Sequence, residues 1–586
     1  MRVFIDLMWY FKKEKWNYGG GVLVLALVSL LSLLPPYVVG VIVDHIDNGS
    51  LTGQTLFQWM LILFILAVMV YVLRYLWRIM IFGAAIRLAR LLRNQLYEHF
   101  SKMSASFFQK RRTGDLMAHS TNDIRAIEQT AGAGVLTLVD SITMGSFVIL
   151  TMAITISWEL TLIALIPMPF MALATSKYGS MLHKRFSKAQ AAFSSLNDKV
   201  QESMSGIRVT KTFGYEEDEV QSFKKESDDV VDKNIQVAKV DALFDPTISI
   251  IVSFSFFLSI VFGARYVVNG EITIGELTSF TVYLGLLIWP MLAFGWLFNI
   301  VERGRASYER VSQLLKVKQD IVDKPNAIVT PPQGDISFSI DYFTYGDEKE
   351  QALKDISITL KRGETLGIAG RTGSGKSTLV KSLLRDFDMK HGTINLDGRN
   401  IEDYSLDALR QSIGYVPQDN FLFSATIADN ISFAKPDATY EEIIEAAKLA
   451  NIHGDIIRFE DGYETIVGER GVTLSGGQKQ RISIARALIS NPEVLILDDS
   501  LSAVDAKTEE QILHALRNIR QGKTTFITAH RLSAIKHANV IVVLEQGNIV
   551  EQGTHEQLML INGWYKQMYE HQQLESIVEK GGGIHD

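Results

Sequence analysis

Six apolar runs crowd the first half of this chain, and their length suits one environment, a lipid bilayer. A bilayer core takes about 20 apolar residues in a helix. Residues 17–43 and 48–73 carry no charge. Residues 130–158 are broken only by Asp140 and are too short for two spans, so they give the third. The charge-poor residues 160–176 give the fourth after a tight turn near Ser157, and residues 246–264 and 277–300 give the fifth and sixth. Soluble cores rarely need so many helices of this length. The first expected domain is an α-helical polytopic membrane domain of six spans, residues 1–316.

Lysine and arginine orient it. The stretch before the first span holds Arg2, Lys12, Lys13 and Lys15, and segments 87–125 and 177–239 are rich in both residue types. The connection 44–57 has neither, and the turns near Ser157 and Asn269 are almost free of them. A multi-pass protein of the cell membrane is expected, with both termini cytoplasmic. The start does not read as a cleavable signal, because it offers no small-residue cleavage site and a full-length span follows. Val3, Phe4, Leu7, Met8 and Phe11, followed by lysines, read instead as an interfacial helix.

The two long inner connections keep apolar residues at helical spacing, as in Leu88, Leu91, Leu92, Leu96 and Phe100. They read as helices continuing below the membrane, with turns near residues 113–123 and 213–220 able to dock on a cytoplasmic domain; solvated loops are the equal alternative. Asp140 is the deepest ionisable residue, whereas Asp241, Asp245 and Glu302 sit near span ends. A charge at membrane depth points to function, but a solvated role suits the last three better. Phe254, Phe256, Phe257, Trp289, Met291, Phe294 and Trp296 would give adaptable contacts to a hydrophobic small-molecule cargo. Any single one more readily faces lipid or a neighbouring helix.

A net charge of -7 argues against a nucleic-acid partner. Without cysteine there is no disulfide framework, thiolate metal site or redox centre.

Residues 317–335 are polar, contain Pro325, Pro331 and Pro332, and read as a linker. Over residues 336–586 short β-like runs alternate with helical stretches, as in an α/β domain. Residues 365–369 (TLGIA) read as a buried strand. Gly370, Arg371, Thr372, Gly373, Ser374, Gly375, Lys376, Ser377 and Thr378 follow, then a helical run LVKSLL. This is the phosphate-loop pattern G-x-x-x-x-G-K-[ST] in its strand–loop–helix setting. The glycines let backbone N–H groups wrap phosphates at a helix N-terminus. Lys376 is expected to reach the β- and γ-phosphates of ATP, and Ser377 to ligate Mg2+. Residues 494–497 (VLIL) form a second strand ending in Asp498, placed as the Walker B aspartate that holds Mg2+, usually through water. The next residue is Asp499.

Leu474, Ser475, Gly476, Gly477 and Gln478, followed by KQRISIARAL, resemble the signature of the ABC ATPases. The resemblance covers nearly the whole chain, in the order of the bacterial multidrug exporters. It implies that two halves associate and sandwich ATP between the phosphate loop of one and the signature of the other. Tyr345 resembles the aromatic that stacks on adenine. Gln418, in YVPQD, resembles the glutamine that senses Mg2+ and touches the membrane domain. Residues 467–471 resemble the exporter-type loop before the signature, and residues 502–505 the D-loop. His530, in TAHR, resembles the switch histidine at the γ-phosphate. Thr113, Gly114, Asp115, Leu116 and Met117, with Asn122 and Asp123, resemble the first coupling-helix region.

One residue departs from the pattern. The family places glutamate after the Walker B aspartate to polarise the attacking water, and here Asp499 is one methylene shorter. A base misplaced by about 1 Å can cost on the order of a hundredfold in rate. An intact signature beside a degenerate Walker B resembles one half of the heterodimeric multidrug exporters of the LmrCD, EfrCD and BmrCD kind. The implied partner is a second ABC half-transporter with its own glutamate. A homodimer using Asp499 as its working carboxylate is the alternative, and a lipid flippase has the same architecture.

Overall fold

A computed structural model describes residues 2–345, 350–468 and 474–581, leaving out the side chains of residues 172, 176, 294, 295 and 576–581. The chain divides into two compact units. One comprises Met1–Ser101 with Arg112–Val317, the other Lys102–Arg111 with Lys318–Asp586.

The first unit holds six apolar helices among its described residues: α1 (Lys15–Asp47), α2 (Gly53–Ser101), α3 (Thr113–Ile156), α4 (Trp158–Ser205), α5 (Glu216–Val268) and α6 (Ile274–Leu315). At a rise of about 1.5 Å per residue, even the shortest exceeds a hydrocarbon core of about 30 Å. The inner connections are therefore helical extensions rather than solvated loops. α1 is interrupted at Ser32 and Leu33, just ahead of Pro35 and Pro36, where two missing N–H donors break the helical ladder. The turn between α3 and α4 falls at Ser157, whose extended backbone and side-chain oxygen cap the N–H of Leu160. Trp289 and Trp296 are exposed and meet edge to face at 6.0 Å. Phe294 lies outside the described side chains.

The first inner turn is not where the sequence suggested. Residues 113–123 are helical from Thr113 onward. The turn is Lys102–Arg111, with a short helix Ala105–Gln109, and this stretch groups with the second unit. Gly114 and Asp115 resemble turn residues, but they occupy the first turn of a helix. There glycine costs little, and a carboxylate favours the positive end of the helix dipole. The second inner turn falls at Gly214, which is left-handed at φ 70°, and Tyr215, ahead of four acidic residues that open the next helix.

The second unit carries two sheets. The four-stranded antiparallel sheet, in order β2-β1-β4-β5, uses β1 (Ile336–Phe343), β2 (Leu353–Leu360), β4 (Gly392–Leu396) and β5 (Arg399–Asn400). The six-stranded sheet, in order β10-β9-β3-β8-β7-β6, uses β3 (Thr365–Gly370), β6 (Ile413–Val416), β7 (Val494–Asp498), β8 (Thr524–Thr528), β9 (Val540–Glu545) and β10 (Asn548–Gly553). Its inner strands pair in parallel. A parallel sheet is covered on both faces, so its strands read as unbroken apolar runs. In β7, Val494 and Ile496 join one buried cluster while Leu495 and Leu497 join the other. That two-sided core explains why VLIL is legible as a strand without polar alternation.

Candidate active site

Ligands of parallel α/β sheets bind beyond the carboxyl ends of the strands. β3, β7 and β8 end together here, at Gly370, Asp498 and Thr528. From β3 the loop 371–375 leads into α7 (Lys376–Leu383). Gly375 is left-handed at φ 103°, and a Cβ there would lie 2.7 Å from the Ala352 carbonyl oxygen. Only glycine meets both demands.

A cavity of about 870 Å³ opens at these strand ends. Tyr345, Thr372, Gly373, Ser374, Gly375, Lys376, Ser377, Thr378, Gln418, Asp498, Asp499 and His530 all line it. Gly370 and Arg371 contribute their carbonyls, which accept from Lys376 Nζ at 2.7 and 3.0 Å. Burial pushes the Lys376 ammonium below its ordinary range, against the pull of Asp499 and Asp498. The Tyr345 hydroxyl lies 3.0 Å from Thr378 Oγ1, and its ring meets Phe343 edge to face.

Asp498 is buried and held from three sides. Its Oδ1 accepts from Thr528 Oγ1 at 2.8 Å and Ser377 Oγ at 3.2 Å, and its Oδ2 accepts from the Tyr415 hydroxyl at 3.3 Å. Thr528 and Tyr415 were not singled out in the sequence. Thr528 lies two residues before His530 in TAHR, and register pairing sets it opposite Asp498. Tyr415 has no comparable signal, because its role depends on strand order.

Asp499 adopts a left-handed backbone at φ 47°, a region that aspartate enters more readily than most residues. Thr528 Oγ1 accepts its N–H at 2.8 Å, and its carbonyl accepts from Ser502 Oγ at 2.9 Å. Its Oδ2 is 3.5 Å from Gln418 Nε2 and 3.7 Å from His530 Nε2. Burial pushes the Asp499 carboxyl above its ordinary range, and His530 opposes that shift.

Ser475, Gly476, Gly477 and Gln478 do not line this cavity. They start α8 (Gly476–Leu488), where Ser475 and Gln478 form a reciprocal capping box. Asp505 caps α9 (Ala506–Ile519) by accepting the Thr508 N–H. Of the expected loop 467–471, residues 469–471 lie outside the described residues.

The family model of the ABC transporter transmembrane region matches residues 19–291, and the ABC transporter model matches residues 353–502. The multidrug resistance-like ATP-binding protein MdlA of Escherichia coli (strain K12) is 48% identical over 579 residues, which cover 99% of this chain and 98% of that protein. The chain belongs to the ABC exporter family. The Bacillus subtilis (strain 168) protein described as a probable multidrug resistance ABC transporter ATP-binding/permease protein, YheI, is 47% identical over 577 residues, 98% of this chain and 99% of its own. A solved bacterial Atm1-family ABC exporter with ATP bound superposes with a TM-score of 0.79 at 27% identity, covering 95% of this chain and 99% of that one. This exporter half is thus an ATPase coupled to transport across a membrane.

Proposed function

We propose that this ABC exporter half moves hydrophobic or amphipathic small molecules outward from the cytoplasm or inner leaflet, as one partner of a heterodimer with unequal ATP sites. The observation that carries the asymmetry is Asp499, a carboxylate one methylene shorter than glutamate, at the position after the Walker B aspartate.

The shared cavity lined by Tyr345, Lys376, Ser377, Gln418, Asp498 and His530 supports the following roles. The Tyr345 ring stacks on adenine. Lys376 leaves the Gly370 and Arg371 carbonyls for the β- and γ-phosphates, which the backbone of residues 372–378 cradles. The Ser377 and Asp498 oxygens, 3.2 Å apart, suit a hard divalent cation, with Gln418 as the third contact. Mg2+ bound there offsets phosphate charge. His530 contacts the γ-phosphate. Ser475, Gly476, Gly477 and Gln478 serve the ATP held by the partner. The nucleotide-binding unit and both termini face the cytoplasm, and ATP-driven closure of the two nucleotide-binding units opens the cargo path outward.

The alternative is a homodimer with Asp499 as its working carboxylate, which its reach to Gln418 and His530 favours. Asp499→Asn separates the two readings. In the heterodimer the purified transporter keeps at least about half its ATP turnover; a fall of about a hundredfold, the scale of a lost catalytic group, overturns the asymmetric reading. Lys376→Ala is expected to weaken photolabelling of this chain by an azido-ATP probe about tenfold or more, the scale of one lost charge-assisted contact. Unchanged labelling would remove Lys376 from the nucleotide site.

A further inference from the structure

The chain passes between its two compact units at Ser101 to Lys102, at Arg111 to Arg112, and at Val317 to Lys318. The second crossing runs into α3, and the third leaves α6. Inside the membrane unit these two helices are fastened to each other close to those crossings, and the fastening centres on one buried carboxylate.

Asp123, on α3, is 7% exposed. Its Oδ1 accepts from Ser307 Oγ at 2.8 Å, and Arg310 closes on both oxygens through Nε and Nη2. Both partners lie on α6. From its own helix, His119 Nδ1 lies 2.6 Å from Asp123 Oδ2. Arg310 Nη2 also donates to Ser307 Oγ at 3.1 Å, which closes the ring of contacts. A two-pronged guanidinium–carboxylate pair fixes angle as well as distance.

The local helix geometry serves this contact. Residues His119–Asp123 form a π-helical turn, and a second π turn follows at Thr130–Gly134. Thr130 Oγ1 donates to the Ile300 carbonyl of α6 at 3.0 Å. At Gly304 a Cβ would lie 1.9 Å from Thr130 Oγ1, so α6 can approach only because that residue is glycine. Single π turns inside α-helices recur at functional positions, and both of these carry a polar group to α6. Sliding α3 along α6 would take the buried Asp123 charge away from Ser307 and Arg310 and leave it only His119 of its own helix, which is strongly unfavourable at a buried site.

We infer that Asp123 is a positioning residue for ATP-coupled transport: it locks α3 to α6, so that the two chain crossings they carry move as one body through the ATP cycle. This rests on membership of the exporter family and not on which partner completes the dimer.

The absence of native cysteine makes a direct test possible. Arg125→Cys on α3 and Glu309→Cys on α6 are both at exposed positions and accept spin labels. The full transporter in nanodiscs is measured by pulsed electron–electron resonance, nucleotide-free and trapped with ATP and vanadate. The expected label distance is the same in both states. Adding Asp123→Asn should broaden it and lower ATP turnover about tenfold, while a fluorescent ATP analogue binds this chain as before. Arg310→Gln should do the same, and the double variant should be no worse than either single one, as for two residues acting through one contact. A distance that shifts between states without the variants overturns the lock. So does Asp123→Asn with turnover within twofold and an unchanged distribution. If Asp123→Asn does not fold, Arg310→Lys, which keeps the charge but loses the fork, carries the same comparison.

Discussion

Gly477→Asp is expected to lower the ATP turnover of the assembled transporter at least about a hundredfold, while ATP still labels this chain's own phosphate loop. Gly477 lies at the start of α8, a helix of 13 residues whose capping box takes up the N–H groups of Ser475 and Gln478 and does not engage those of Gly476 and Gly477. Such a helix end offers donors and positive potential to a phosphate. Removing one preorganised donor at a transition-state charge typically costs a hundredfold to a thousandfold, about 2.7–4 kcal/mol. A carboxylate at position 477 does more harm than a deletion, because it competes for the same amides with negative charge. There is little room for it to turn away: a Cβ at Gly477 would lie 3.0 Å from the Ala503 carbonyl oxygen.

The informative part is which chain loses function. The signature residues do not line this chain's own cavity, so on the proposed reading their loss should leave local ATP binding intact and disable the site that they complete on the partner. Activity above about a tenth of the unmodified level, set against the hundredfold cost expected of a lost transition-state donor, would show that these amides do not meet a nucleotide during turnover. Paired with Asp499→Asn, the experiment reads both faces of this half separately. A severe effect from Gly477→Asp with a mild one from Asp499→Asn is the pattern of unequal sites.

The nucleotide cavity was largely legible in the sequence because its parts are local. A phosphate loop needs its strand, turn and helix in one continuous stretch, and residues 365–383 supply all three. The spans were legible for a related reason, since a charge-free run reports its own environment. What escaped depended on contacts between distant segments. Tyr415 reaches Asp498 only because β6 lies beside β7. Asp123 looked like part of an inner turn until α6 supplied Ser307 and Arg310. The true inner turn, Lys102–Arg111, lacks glycine and proline, whereas Gly114 and Asp115 mimic turn chemistry inside a helix start.

Gly275→Leu is expected to prevent assembly of the membrane unit, with loss of the monodisperse peak after detergent extraction. In lipid, helices gain little from burying apolar surface against one another, so close approach and hydrogen bonds hold them together. α6 begins with a line of such residues facing α1. The Gly275 N–H donates to Asp44 Oδ1 at 2.7 Å, Ser279 Oγ donates to the Pro36 carbonyl at 3.0 Å, and the Tyr283 hydroxyl donates to the Leu33 carbonyl at 2.7 Å. Thr273 adds a hydrogen bond to Asp44 Oδ2 at 2.8 Å. The Gly-x-x-x-Ser spacing of Gly275 and Ser279 is the sequence signal for this crossing. A Cβ at Gly275 would lie 2.1 Å from the Gly40 carbonyl oxygen, and one at Gly40 would lie 1.9 Å from Ser279 Oγ. Backbone cannot rotate away as a side chain does, so the helices must part and every bond in the line is lost. Overpacking typically costs about 1–3 kcal/mol, and a clash with backbone rather than a side chain belongs at the upper end of that range. Tyr283→Phe removes one hydrogen bond and keeps the packing, and should cost about 0.6 kcal/mol, the average for such bonds in membrane helices. Fluorescence-detected melting of the two variants decides the point: if Gly275→Leu melts with Tyr283→Phe, the crossing of α1 and α6 tolerates a side chain and is not what holds this end of the bundle.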